Sequence, residues 1–270
     1  MLIGIPIIST SRYGFDPDAE AFFSAAGIGN PYHRININVL VTRAKANGWW
    51  TLCNAIYPMV GGTATTHKFN LKNPQDTDAA FRLNFQGTWV HSATGADPNG
   101  STAYADTFLI PSSVLTLNST HVSYYSRTNS AISRFDIAVL ASGNLRIGLV
   151  IRDSTDTELG DSYYPFLDPG RIVVSNTDSR GHFICSRISS TDLSLINNGS
   201  VVATRTATET AGLPTVYSLY IGAQNNNGTA DSFTDRECAF ATIGAGISST
   251  IASLMYTDIQ NFQISMGRAV

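Results

Sequence analysis

From residue 63 onward the chain is written largely in β-rich runs, apolar alternating with polar, separated by clusters of Gly, Asn, Asp, Ser and Thr. This feature constrains the fold most, because side chains alternate faces along a strand and each run therefore presents one apolar face to a neighbouring layer. The clearest runs are 80–85, 122–127, 135–141, 145–152, 171–175, 182–187, 216–222 and 238–243. Two more, 192–196 and 201–204, flank Asn197-Asn198-Gly199, whose Asn-Gly step favours the positive φ values of a tight hairpin. Many short strands with few helices between them predict a mainly β protein, an antiparallel two-sheet sandwich or jelly roll.

The ends read differently, and they set the expected organisation: residues 1–62 form an arm and helical segment, and 63–270 form the sandwich with a closing helix. Asp16-Pro17-Asp18 combines a cap, a helix-starting proline and a first-turn acid. Ala19, Phe22, Phe23 and Ala26 follow at helical spacing before Gly27. Asn30-Pro31 repeats the start signal for a longer helix reaching Gly48, with Ile35, Val39 and Thr42 as its apolar face and Leu40 and Ala46 flanking it. Residues 49–57 read as a third short helix ended by Pro58. From Ser248 the residues Ile251, Leu254, Met255, Ile259, Phe262 and Met266 line one face of an amphipathic helix, expected to pack within its own chain.

Composition excludes several functions. Charged residues are 14% of the 270, against about 25% in soluble domains generally; the polar surface comes instead from Ser, Thr, Asn and 22 glycines. That balance suits extracellular or virion proteins. The net charge of −3, with only Lys45, Lys68 and Lys72 as lysines, leaves no cationic stripe for phosphates, so nucleic acid is excluded as a partner. Cys53, Cys185 and Cys238 are too far apart for a zinc knuckle and are expected to be free and buried. The apolar run 1–8 is short, contains Pro6 and reads as an edge strand or docking arm; no stretch is long enough to enter a membrane.

Two resemblances rest on particular residues. The hairpin 193–202, the stretch Tyr220-Ile-Gly-Ala223, the run Cys238-Ala-Phe-Ala-Thr-Ile-Gly244 and the segment 247–254 resemble the closing strands and terminal helical turn of concanavalin A-like and laminin-G-like jelly rolls. Over almost the whole chain, Phe15-Asp-Pro-Asp18, 50–57, Gly61-Gly-Thr-Ala-Thr-Thr-His-Lys-Phe-Asn-Leu-Lys72, Asp78-Ala-Ala-Phe-Arg-Leu83 and Ser123-Tyr-Tyr-Ser-Arg127 resemble structural proteins of phages of Bacteroidetes-type hosts. That resemblance implies a virion component of fibre, tail or head-decoration type, located in the extracellular particle. Its implied partners are other virion proteins and further copies of itself, as trimers by analogy with fibres.

The jelly-roll resemblance also says which chemistry to look for. Glycosidases of that fold need two carboxylates about 5 to 5.5 Å apart for retention. The glutamates are Glu20, Glu158, Glu209 and Glu237, and none belongs to a Glu-x-Asp-x-x-Glu arrangement. The pairs Asp156/Glu158 and Asp235/Glu237 stand in or beside polar loops and read as solvated turn residues. No catalytic residue is assigned and no cofactor is expected. Calcium, which many laminin-G-like domains hold through loop carboxylates, would draw on Asp153, Asp156, Asp161, Asp231 and Asp235, although no spacing motif supports it. His33, His67, His91, His121 and His182 occur singly and read as surface or satisfied polar groups. A host-surface glycan would need an aromatic platform beside amides or carboxylates, and Asp161, Tyr163, Tyr164, Asn225 and Asn226 are the candidates.

Overall fold

A computed structural model describes residues 14–162, 171–206 and 212–270. The apolar run 1–8 lies outside these residues. Helix α1 (Pro17–Ala26) is capped by Asp16, whose carboxylate accepts from the Asp18 amide, and it buries Ala19, Phe22, Phe23 and Ala26 as expected. Helix α2 (Pro31–Ala46) is capped by Asn30 but buries Ile37, Leu40, Val41 and Ala44. Ile35 and Val39, expected inward, are half exposed. Both sets of residues have helical spacing; α2 turns the second inward because α1 and the C-terminal helix flank it there.

The strands in chain order are β1 (Cys53–Tyr57), β2 (Asn84–Gln86), β3 (Trp89–His91), β4 (Ala96–Pro98), β5 (Tyr104–Asp106), β6 (Thr120–Ser126), β7 (Ile137–Ala141) and β8 (Leu145–Val150). They continue as β9 (Thr157–Ser162), β10 (Arg171–Ser175), β11 (Gly181–Ser189), β12 (Asp192–Asn197), β13 (Ser200–Arg205), β14 (Tyr220–Ile221), β15 (Gln224–Asn226), β16 (Thr229–Asp231) and β17 (Cys238–Gly244). Helix α3 (Ser249–Ser265), capped by Ser248, closes the chain. One sheet runs β13-β12-β11-β6-β17-β4-β3 with β1 also on β17; the other runs β10-β9-β8-β7-β14-β5-β2 with β15 beside β7 and β16 beside β15. Among these strands all pairings are antiparallel except β15 with β7. The protein is thus a mainly β, two-sheet sandwich of jelly-roll type, with helices.

Three strand or helix expectations are corrected. Residues 49–57 do not form a helix: one 3₁₀ turn at Trp50–Leu52 leads into β1, which pairs with β17. β1 is almost wholly buried, so its apolar residues do not alternate, and periodicity cannot separate such a strand from a buried helix. The run 80–85 is mostly a turn, with Phe81 in the left-handed region, and pairing begins only at Asn84. The run 216–222 contributes only the two-residue β14. The hairpin at Asn198-Gly199 forms as expected, with φ of 48° and 78°.

Apolar residues form two cores. Tyr57, Val122, Tyr124, Val139, Leu149, Phe183, Leu195 and Ile243 fill the space between the sheets. Phe22, Ile37, Trp49, Tyr125, Ile184, Phe240, Met255 and Phe262 fill the space between the first sheet and the helices. Strands β6 and β17, central in the first sheet, are buried along their whole length because both faces are covered. As expected, α3 packs within the chain, against α2; its buried Asp258 accepts from Trp49 Nε1 at 2.9 Å and Asn47 Nδ2 at 2.8 Å. The three cysteines are buried, and none of them forms a disulfide.

Where the sandwich lacks sheet hydrogen bonds, an ion pair takes over. Arg236 and Asp136 have no solvent exposure. Arg236 Nη1 donates to both Asp136 oxygens at 3.0 Å, and Nη2 donates to the carbonyls of Ser130 (2.8 Å), Ile132 (3.1 Å) and Arg152. Asp136 accepts further from the Ile151 amide at 2.8 Å and the Thr234 hydroxyl at 2.9 Å. Removing one partner of such a pair leaves a buried charge and costs about 3–5 kcal/mol. Asp136→Asn is therefore expected to lower unfolding stability by that amount in urea titration, and the double variant Asp136→Leu/Arg236→Met to lose less than Asp136→Asn alone.

Candidate functional site

Ile137 and Val139 of β7 and Ile147 and Leu149 of β8 point into the core between the sheets. By alternation Ala138, Leu140, Arg146, Gly148 and Val150 face the other way, away from the helices. On that outer face lies a groove of about 370 Å³ lined by Ser133, Phe135, Leu140, Arg146, Val150, Leu159, Arg171, Gln224, Asn226 and Ser232. Its size falls in the range of small-ligand sites, which start at about 300 Å³.

The groove is built around one ring. Phe135 lies against Gly148, where an added Cβ would come within 2.8 Å of the ring and 3.1 Å of the Ala138 methyl. Only the smallest side chains at 138 and 148 let the ring lie against the sheet. The Arg146 guanidinium stands over the ring at 5.2 Å from its centroid. The Gln224 amide turns its oxygen to Arg146 Nε at 3.1 Å and its nitrogen to Asp231 Oδ1 at 3.2 Å. Asn226 Nδ2 donates to Asp231 Oδ2 at 2.7 Å. Asp231 therefore orients two amides at the rim. An aromatic pair, Tyr104 on β5 and Tyr220 on β14, stacks at 4.5 Å between ring centroids.

Of the residues named from sequence, Asn226 lines this groove and Asp231 positions it. Asn225 does not take part: its amide donates to the Ser218 carbonyl at 2.9 Å and accepts from the Gly228 amide at 2.9 Å, which holds the turn. Asp161 stands in β9, its backbone opposite Gly148 and Arg171. Tyr163 and Tyr164 lie outside the described residues. Phe135, Arg146 and Gln224 were missed. The available signal was Gly148 among Ile147, Leu149 and Val150 of β8, a strand glycine that marks a close approach.

The loop carboxylates are engaged separately. Asp153 Oδ1 accepts from the Thr155 amide and hydroxyl and the Thr157 amide, at 2.7 to 3.0 Å, and these bonds hold its carboxyl down to about 2 against the opposing effect of burial. Asp156 pairs with Arg152 at 2.7 Å, and Asp235 accepts from the Ser130 hydroxyl at 3.0 Å. Among the described residues no three His, Cys, Asp or Glu side chains converge as a metal site requires. Two carboxylates are not solvated turn residues as expected. Glu158 is fully buried on β9, and Glu237 pairs with Arg127 at 2.7 Å while accepting from the Thr94 hydroxyl at 2.5 Å.

Three histidines are buried. His67 Nε2 accepts from the Gly62 amide at 3.1 Å, so its Nδ1 carries the proton that meets His91 Nδ1 at 2.9 Å. Burial, with His91 and Arg268 nearby, lowers His67 to about 3. This pair ties the Gly61-Gly62 turn to β3. His121 bridges the Ala245 carbonyl and the Thr242 hydroxyl. His182, expected to be satisfied, has neither ring nitrogen hydrogen-bonded, and burial lowers it to about 3.

No protein-family model matches the chain, and no curated protein matches it in sequence. Among solved structures, the botulinum neurotoxin serotype D/C binding domain is similar at 10% identity and TM-score 0.50, over 78% of this chain and 53% of that one. The NanB sialidase from Streptococcus pneumoniae is similar at 13% identity and TM-score 0.45, over 63% of this chain and 27% of that one. The CBM40 of the Ruminococcus gnavus IT-sialidase, bound to alpha2,3 sialyllactose, is similar at 14% identity and TM-score 0.42, over 60% of this chain and 92% of that one. The chain thus spans about a quarter of the sialidase and about half of the neurotoxin domain. At these identities the likeness concerns the sandwich fold alone.

With the loop carboxylates engaged separately, saturating EDTA is expected to leave the thermal unfolding midpoint unchanged; a drop of several degrees would indicate a bound divalent cation.

Proposed function

We propose that this protein is a glycan-binding sandwich module that works without catalysis as a component of a phage particle. The groove carries the binding reading: an aromatic ring lies against the sheet, with amides and a guanidinium around it. Sugars present apolar C–H faces that stack on rings and hydroxyls that bond planar polar groups, so this combination suits them. No carboxylate lines the groove among the described residues, which supports binding over hydrolysis.

The virion role rests on the sequence resemblance, above all on 61–72. The layering supports it too: the helices cover the outer face of one sheet and the groove opens on the outer face of the other. Tyr32, Ile35, Val39 and Ile264 give the helical side an exposed apolar surface. In this reading that side meets other virion proteins or sister copies and the groove faces the host surface. Several weak sites on a trimer or other homo-oligomer act at high effective concentration, so each site can be modest. A purely structural role, with no ligand, is the second reading and draws on the same apolar helical face.

Glycan-array and host-cell binding of the purified protein test the first reading. Phe135→Ala, Asn226→Ala and Gly148→Val are each expected to weaken binding at least about tenfold, equivalent to the loss of about 1.4 kcal/mol, with far-ultraviolet circular dichroism unchanged. Wild-type binding in all three would remove the groove from the function. Absence of binding to any glycan would leave the structural role, which labelling of this chain in intact particles tests separately.

A further inference from the structure

Glu158 turns inward from β9 near one end of the inter-sheet core and is fully buried. It meets Asn197 of β12, in the opposite sheet, whose Nδ2 donates to Glu158 Oε2 at 2.6 Å. The remaining atoms of the two groups, Glu158 Oε1 and Asn197 Oδ1, are both buried with no hydrogen-bond partner. If the carboxyl is ionised, both atoms are acceptors with nothing to accept, and each such defect costs about 1–3 kcal/mol.

One proton removes both defects. Placed on Oε1, it lets the acid O–H donate to Asn197 Oδ1 while the amide donates to Oε2. These are the two bonds that a carboxylic acid and a carboxamide make when they meet face to face.

We propose that Glu158 and Asn197 form a neutral acid–amide pair that clamps the β9–β10 edge of one sheet to β12 of the other, and that loss of its proton releases the clamp. The surroundings agree. Glu158 lies among the apolar residues between the sheets, and the charged group acting on it is Asp136, the residue before β7, held by Arg236, which disfavours a second anion. Burial first, and then Asp136, push the carboxyl up to about 8, against the Asn197 bond that lowers it. The clamp also fixes one wall of the groove, because Leu159 on the same strand faces it. It stands independently of what the groove binds.

An unfolded glutamate releases its proton near 4.5, whereas the folded one holds it to about 8. Between these values the folded state binds the extra proton, so the contribution of Glu158 is full below 4.5, falls as pH rises and levels off above about 8. Within that window the unfolding equilibrium shifts by up to about tenfold per pH unit through this one group.

The test compares urea unfolding of the wild type and Glu158→Gln across this range. The substituted amide supplies an N–H where the acid O–H stood, so the variant is expected to match the wild type at pH 5 and exceed it in stability at pH 9. In parallel, the ¹³C resonance of the Glu158 carboxyl in the wild type is expected to titrate far above the ordinary glutamate value. Parallel pH profiles for the two proteins, or a carboxyl titrating near about 4.3, the value of a free side chain, would overturn the proposal. The second readout needs no variant to fold.

Discussion

Arg236 sits in the sandwich without contact with water, and its charge is met by Asp136 and by the carbonyls of Ser130, Ile132 and Arg152. Those carbonyls belong to two connections between strands: the one from β6 to β7 and the one from β8 to β9. The ion pair therefore does for the loops at this end what ladder hydrogen bonds do for the strands. Its cost is the desolvation of two charges, offset only because the groups around them supply further hydrogen bonds. The groove depends on it indirectly, since Phe135 directly precedes Asp136 and Ser133 and Ser232 come from the loops gathered here.

The helices solve a different problem. A sandwich normally leaves the outer faces of its sheets to water, but here β6 and β17 carry large side chains on both faces: Tyr124 and Tyr125 point in opposite directions into separate cores. Without α1, α2 and α3 the second of those cores would be open. The far face of the other sheet has no such cover among the described residues, and it is there that an aromatic ring, two guanidinium groups and two amides are grouped in a concave surface. One face of the sandwich is thus covered by helices of its own chain, and the opposite one carries the groove.

Polar groups inside the structure follow the same logic of satisfaction. Asp258 is buried but bonded to Trp49 and Asn47; His67 is buried but bonded to Gly62 and His91. His182, with neither ring nitrogen hydrogen-bonded, breaks the pattern, and so do Glu158 and Asn197 unless a proton lies between them.

The sheet architecture was legible because alternation, turn residues and caps act locally: Asp16, Asn30 and Ser248 start helices and Asn198-Gly199 turns a hairpin whatever surrounds them. Local rules failed where burial on both faces erased the alternation, as in β1, and where two sets of residues shared helical spacing, as in α2. Of the residues named for a ligand only Asn226 lines the groove, while Asp231, named for calcium, instead orients the Gln224 and Asn226 amides. Phe135, Arg146, Gln224 and Asn226 come from three separate stretches of chain, and sequence cannot say which strands will be neighbours. Sequence by itself determined most of the elements, because their causes lie within a few residues; tertiary structure alone decided the layers, the groove and the two unpartnered oxygens of Glu158 and Asn197, because each depends on atoms that meet only when distant segments pack.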